Sequence, residues 1–312
     1  MSRIRPDIRE VRALIARALC GASEINPVDE GVSTHVYRIK RSEEIFYLRV
    51  LPEEGATFAP EVEAHALLRR AGVRVPEVVY WDDLDPGLSR AVMLTTEIEG
   101  RAIGKDDLGA ALPTIVHAAG RDLALINQVP VDGFGWIRRD APGDTRLRGD
   151  IASETELMLA DLEPCIRVLQ GTDLQWSGAD QIREAIHRNA QLLDAPHAHL
   201  SHGDFDATHI FSHEGRYTGI IDLGEIRGTG PHYDLGHFRF HDGETLPTTL
   251  LPYLLEGYRD AGPLPHEVDR RIALDSLLIG VRFLARMHRR LARPTRVHAL
   301  AAIERDFQTL WA

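Results

Sequence analysis

Long hydrophobic runs are missing from this 312-residue chain: no stretch of about 18 apolar residues occurs, so no membrane-spanning helix is expected. Cysteine is scarce. The two present, Cys20 and Cys165, are far apart and unpatterned, which excludes a disulfide framework and fits a reducing, cytoplasmic setting. The opening stretch, MSRIRPDIREVRALIARALCG, scatters charges through its apolar positions and does not read as a secretory signal. Positive charge is also in deficit, with a formal net charge of -11. That argues against a nucleic-acid partner, which needs a basic surface. An acidic cleft would instead steer a cationic small molecule. No G-x-S-x-G turn is present, so a Ser-His-Asp hydrolase of that type has no nucleophile elbow.

What remains is ordinary globular material, 44% hydrophobic and 27% charged. Residues 7–20 carry apolar positions at helical spacing, with Gly21 as a stop. Residues 36–39 and 45–50 change period and read as strands joined by a polar hairpin. Ahead of them, Gly31-Val32-Ser33-Thr34 is a turn whose N–H groups and hydroxyls suit phosphates. Residues 59–71 read as a helix with Glu61 and Glu63 in its first turns, where acids favour the helix dipole. Strands follow at 78–80 and 91–95, ending in Glu97-Ile98-Glu99-Gly100. Beyond residue 100 strands nearly vanish. Helices are expected over 105–128, 150–170, 178–194 and most of 247–312. The arginines between Arg282 and Arg296 read as a solvated or salt-bridged face.

The exception to the helical second part is residues 197–224, HAHLSHGDFDATHIFSHEGRYTGIIDLG. Asp204 sits on a loop and Asp222 at the end of an apolar strand, with a hairpin between them. A base on a loop and a metal-ligating acid at a strand end are the parts phosphoryl transfer requires. His197, His199, His202, His209 and His213, beside Asp204, Asp206 and Asp222, admit a rival reading as a metallohydrolase. That reading gives no account of the strands, helix and strands that precede them.

His202-Gly203-Asp204 followed by Ile221-Asp222 resembles the aminoglycoside phosphotransferase family, within the wider protein-kinase-like fold. The resemblance runs from about Gly31 to about Phe238 and includes Phe134 between its glycines. It implies an α+β bilobal fold, with a small β-rich nucleotide-binding lobe over residues 1–99 and a mainly helical catalytic and acceptor-binding lobe over residues 100–312. It implies ATP as donor, with GTP open, and magnesium, with manganese open. Asp204 would take the acceptor proton, His202 would support the loop, and Asp222 would hold the metal. Gly31, Ser33, Thr34 and Arg49 would meet phosphates, Glu63 would pair with Arg49, and Thr96, Glu97 and Ile98 would meet the adenine edge. Asp234 would brace the catalytic loop.

Three positions depart from the family pattern. His209 stands where an asparagine normally helps hold metal, and its imidazole suits manganese or zinc better than magnesium. Arg49 replaces the lysine of protein kinases, keeping the charge with a different geometry. Leu223 replaces an aromatic after Asp222. The expected activity is transfer of phosphate to a hydroxyl of a small, cationic molecule such as an aminoglycoside, an amino sugar or an amino alcohol. Asp173, Glu225 and Asp242 are candidates to meet its charge. The alternative is a nucleotide-binding scaffold with little transfer activity. No membrane partner is expected, and the oligomeric state is left open.

Overall fold

The structure is a computed structural model describing residues 5–21, 24–28, 34–104, 109–171 and 178–312. Gly31 and Ser33 of the phosphate turn, and Asp173, lie outside the described residues.

Period-two patterning builds the first sheet. In β2 (His35–Arg41) Tyr37 and Ile39 are buried, and in β3 (Glu44–Val50) Phe46, Leu48 and Val50 are. These side chains pack under helix α1 (Ile8–Ala18) through Val11, Leu14 and Ile15. Alternation therefore turns Arg49 to the opposite face, beside helix α2 (Ala59–Arg70). Three more strands complete the sheet: β1 (Glu24–Val28), β4 (Val78–Asp82) and β5 (Val92–Thr96). The antiparallel order is β1-β2-β3-β5-β4, which makes β3 central, with Arg49 opposite Met93 of β5. Strand β1 was not foreseen: Pro27 and a mostly exposed pattern mark it as an edge strand.

The second part is helical, with two small sheets set into it. One has the order β11-β10-β6, from β6 (Arg101–Ala102), β10 (Ile210–His213) and β11 (Arg216–Ile220). The other has the order β7-β9-β12-β8, from β7 (Pro130–Val131), β8 (Gly135–Trp136), β9 (Ala198–Ser201) and β12 (Arg227–Thr229). The β10–β11 hairpin is the one read between Asp204 and Asp222, whereas β6, β7, β8 and β12 carry too few residues to show a period, which is why the sequence gives little sign of them. Helix α3 (Leu112–Ile126) begins with Pro113 in its first turn. Residues 150–170 divide into α4 (Glu154–Leu159) and α5 (Leu162–Gln170), and α6 spans Ala179–Asn189. Then come α7 (Tyr233–His241), α8 (Leu251–Ala261), α9 (Val268–Met287) and α10 (Arg293–Trp311). The arginine run is split between α9 and the start of α10. Arg282 is not solvated: it binds Asp161 at 2.5 Å and the carbonyls of Leu157 and Met158. Among the described residues no helix is long and apolar enough to cross a membrane.

Candidate active site

The loop after β9 is held from below. Asp234, fully buried in the first turn of α7, accepts the N–H of His202 at 2.8 Å and of Gly203 at 2.9 Å. It also accepts the side-chain amide of Asn127 at 2.9 Å, which in turn bonds the Leu200 carbonyl. Phe205 is wholly buried, its ring 5.8 Å from that of Phe238. With its neighbour pinned in the core, Asp204 is left at the surface with 48% of its side chain exposed. Gly203 has φ +87°, and a Cβ there would run into the Glu225 carbonyl.

His202 links the two acids. Its Nε2 lies 2.8 Å from the carbonyl of Ile221, the residue before Asp222, so that nitrogen carries the proton. Its Nδ1 then accepts the N–H of Asp204 at 3.4 Å. Burial pushes the ring below its ordinary value, with the His209 charge adding to it, so the ring stays neutral. A neutral, wholly buried ring spanning both backbones is a strut that sets the spacing of Asp204 and Asp222.

Asp222 itself has φ 64° and ψ 68°, a left-handed conformation that aspartate tolerates better than most side chains. One carboxylate oxygen accepts the Gly224 N–H at 3.2 Å. Burial favours the neutral acid, but the Arg49 charge above all, with His209 and the Gly224 N–H, outweighs it, and its value falls below the usual carboxylate range. Arg49 and Asp222 meet across Gly224, where a Cβ would stand 2.9 Å from the Asp222 carboxylate and 3.0 Å from the Arg49 guanidinium. An ionised carboxylate with one oxygen uncommitted fits a hard cation such as magnesium, which takes few protein ligands beside phosphates.

The expected partner of Arg49 needs correction. Glu63 lies on the outer face of α2 and pairs with Arg70 at 3.1 Å. The carboxylate that meets Arg49 is Glu61, which is fully buried and also takes Arg139 at 3.1 Å. Helical phase explains it, because Glu61, Ala64, His65 and Leu68 form the buried stripe of α2.

His209 turns both ring nitrogens to carboxylates, Nδ1 to Asp206 at 3.3 Å and Nε2 to Asp204 at 3.9 Å. Burial alone would lower its value, but the Asp206 bond and the surrounding acids overcome that and raise it. His237 of α7, which the sequence analysis missed, places Nε2 3.3 Å from the other Asp204 oxygen while Nδ1 bonds the Phe205 carbonyl at 3.1 Å. Its place one turn after Asp234, on the same helix face, was the available signal.

Among the adenine candidates, the Thr96 N–H is taken by the Glu77 carbonyl at 2.9 Å and the Glu97 N–H by Ile45 at 3.0 Å. Thr34 is buried just before β2. Of the candidates to meet a cation, Asp242 is spent capping α8, accepting the N–H groups of Leu250 and Leu251. Glu225 stays beside the two acids. Burial raises its value against the pull of Arg227, and the Asp204 and Asp222 charges add to the rise. Of the histidines of the metallohydrolase reading, His202 and His209 lie with ring centroids 5.1 Å apart, and the five do not gather at one point. His213 pairs with Glu99 at 3.3 Å at the far end of the hairpin, and among the described residues no three metal-ligating groups gather.

The buried histidines make a prediction about stability. Burial holds His232 at about 4 and His237 at about 3, and lowers His65 and His202 as well. The unfolded chain takes up these protons near pH 6.5 and the folded one does not. Stability is therefore full above pH 6.5 and falls as the pH drops towards 4. Each strongly shifted histidine contributes about 2 kcal/mol to that loss by pH 5 or below. His209 runs the other way, since its contribution is present at low pH and fades above its raised value. Urea titrations from pH 7.5 to 4.5 should show falling stability, less steeply in His237→Asn; a flat profile would refute the neutral, buried assignment.

An antiparallel sheet with its arginine–glutamate pair, set over a helical part that carries two acids on a strut, defines a small-molecule kinase of the protein-kinase-like fold. The model of the phosphotransferase enzyme family matches residues 24–270, and the chain belongs to that family. Among solved structures, the apo form of a thermostable mutant of aminoglycoside phosphotransferase APH(4)-Ia is 17% identical, with a TM-score of 0.67, covering 95% of this chain and 98% of that one. A ternary complex of the same protein with AMP-PNP and hygromycin B is 18% identical, with a TM-score of 0.64, covering 97% and 98%. A putative fructosamine-3-kinase from Thermobifida fusca YX-ER1 is 17% identical, with a TM-score of 0.65, covering 96% and 98%. At this identity the likeness is one of fold. No curated protein matches the chain.

Proposed function

We propose that this phosphotransferase moves the γ-phosphate of ATP to a hydroxyl of a small cationic acceptor, with Asp204 as the base. The observation that carries the reading is the half-exposed Asp204 carboxylate, fixed through Asp234 and spaced from Asp222 by the His202 strut. In the step, the acceptor oxygen forms its bond to the γ-phosphorus as the bond to the β-phosphate oxygen breaks. The acceptor proton passes to Asp204, and ADP leaves. Positioning dominates such a transfer because the transition state is loose. Arg49, held by Glu61, faces the phosphates, and the N–H of Ile98 meets the adenine edge. Residues 1–99 then hold the nucleotide and residues 100–312 the acceptor. Asp222 would hold a magnesium ion, which neutralises phosphate charge when bound.

The net charge of -11 and Glu225 beside the acids support a cationic acceptor. Relatives in fold that bind hygromycin B, or carry the name of a fructosamine kinase, place aminoglycosides and amino sugars first in the panel. Consumption of ATP against aminoglycosides, amino sugars and amino alcohols, with GTP in parallel, tests the reading. Turnover with none of them beside tight nucleotide binding would favour a scaffold.

The contacts of His209 support an imidazolium that holds Asp204 and Asp206 in place of a metal ligand. His209→Asn should then keep the wild-type ratio of magnesium to manganese activity within about twofold while lowering turnover about tenfold. A shift of preference towards magnesium would restore the ligand role.

A further inference from the structure

We infer that Arg139 is a positioning residue for nucleotide binding, clasping the Glu61–Arg49 pair from the catalytic side of the cleft; this rests on the reading of Arg49 as the phosphate-facing cation. Residues 138–148, after β8, form a loop whose base is closed by the Arg138 N–H donating to the Arg148 carbonyl at 3.0 Å. Ion pairs within and beside the loop stiffen it: Asp144 takes Arg146 at 2.9 Å and Arg148 at 3.0 Å, and Arg138 takes Asp140 at 2.6 Å. The loop reaches the first sheet's surroundings at three points. The Arg139 carbonyl accepts the Thr57 N–H at 2.9 Å, and the Gly143 N–H donates to Asp83 at 2.6 Å. Asp83 also accepts the Thr57 hydroxyl, whose oxygen caps the Ala59 N–H at the start of α2.

The third point is the Arg139 guanidinium. One terminal nitrogen lies 3.1 Å from the Glu61 oxygen that Arg49 does not use, and donates to the Gly224 carbonyl at 2.9 Å. Glu61 is fully buried, and a buried carboxylate with one partner removed is costly. Arg139 therefore does two things at one atom. It sets its charge against the buried Glu61 oxygen that has no hydrogen bond of its own, and it ties that acid to the turn between Asp222 and Glu225. Arg49 comes from β3 and Asp222 from the turn after β11, and this arginine links the two.

Titration calorimetry of the full chain with AMP-PNP and magnesium tests it. Arg139→Met should weaken affinity about 10-fold, and Arg139→Lys should recover to within about 3-fold of wild type. In a Glu61→Gln background the Arg139→Met change should add less than about 2-fold, because both act through one carboxylate. Wild-type affinity in Arg139→Met, or losses that simply add in the double variant, would overturn the inference. Thermal melts identify any variant that fails to fold, for which Arg139→Lys carries the comparison. Arg49→Met separates the two readings. If it leaves affinity unchanged, the nucleotide-site reading fails; if it weakens affinity while Arg139→Met does not, the clasp alone fails.

Discussion

Asp204→Asn should give a folded protein that binds AMP-PNP with wild-type affinity and transfers phosphate about 10³-fold more slowly, the scale expected when a positioned base is lost. The amide has the shape of the carboxylate and cannot accept the acceptor's proton. The fold should survive because the loop does not hang on this side chain. Asp234 carries its backbone, and Phe205 anchors it in the core. His237 and His209 approach the carboxylate at 3.3 and 3.9 Å, contacts an amide can partly keep. Single-turnover phosphate transfer and calorimetry on the same preparation separate the two effects. A loss confined to nucleotide affinity, with transfer intact at saturation, would remove Asp204 from the chemistry.

Asp222→Asn should be nearly as damaging by another route, with turnover down about 10²-fold or more and magnesium-dependent AMP-PNP affinity down about 10-fold. Asparagine shares aspartate's tolerance of the left-handed backbone that this position adopts, so the turn is kept. What is lost is the charge. Arg49 and His209 hold the Asp222 carboxyl below its usual range, which keeps it ionised for a cation. Without it Arg49 faces the site with no acid opposite. Measuring AMP-PNP affinity with and without magnesium checks this. An equal loss in both conditions would mean that Asp222 acts on structure and not on the metal.

The two acids were legible because everything that defines them is local: a loop, a hairpin and a strand end within 28 residues of sequence. Asp234 was legible for the same reason, being a helix start close behind. Glu61 was misread in favour of Glu63. The helix phase held the answer, since Glu61 shares a face with Ala64, His65 and Leu68, but a charged residue is rarely credited with a buried position. Arg139 could not be read at all. It stands 85 positions from Gly224, in a loop whose sequence looks like solvated charge, and only the fold closes that distance. The same holds for His209, whose identity was plain but whose partners, Asp204 and Asp206, depend on how the loop turns back on itself.

The proposed reaction is phosphorylation, from ATP and through Asp204, of a hydroxyl on a small cationic molecule. Phosphorus NMR of wild-type protein with ATP, magnesium and pooled aminoglycosides, amino sugars and amino alcohols tests it most directly. A new phosphomonoester resonance should grow with ADP, present with the wild type and absent with Asp204→Asn. ADP appearing only with inorganic phosphate, or a phosphomonoester formed equally by Asp204→Asn, would contradict it.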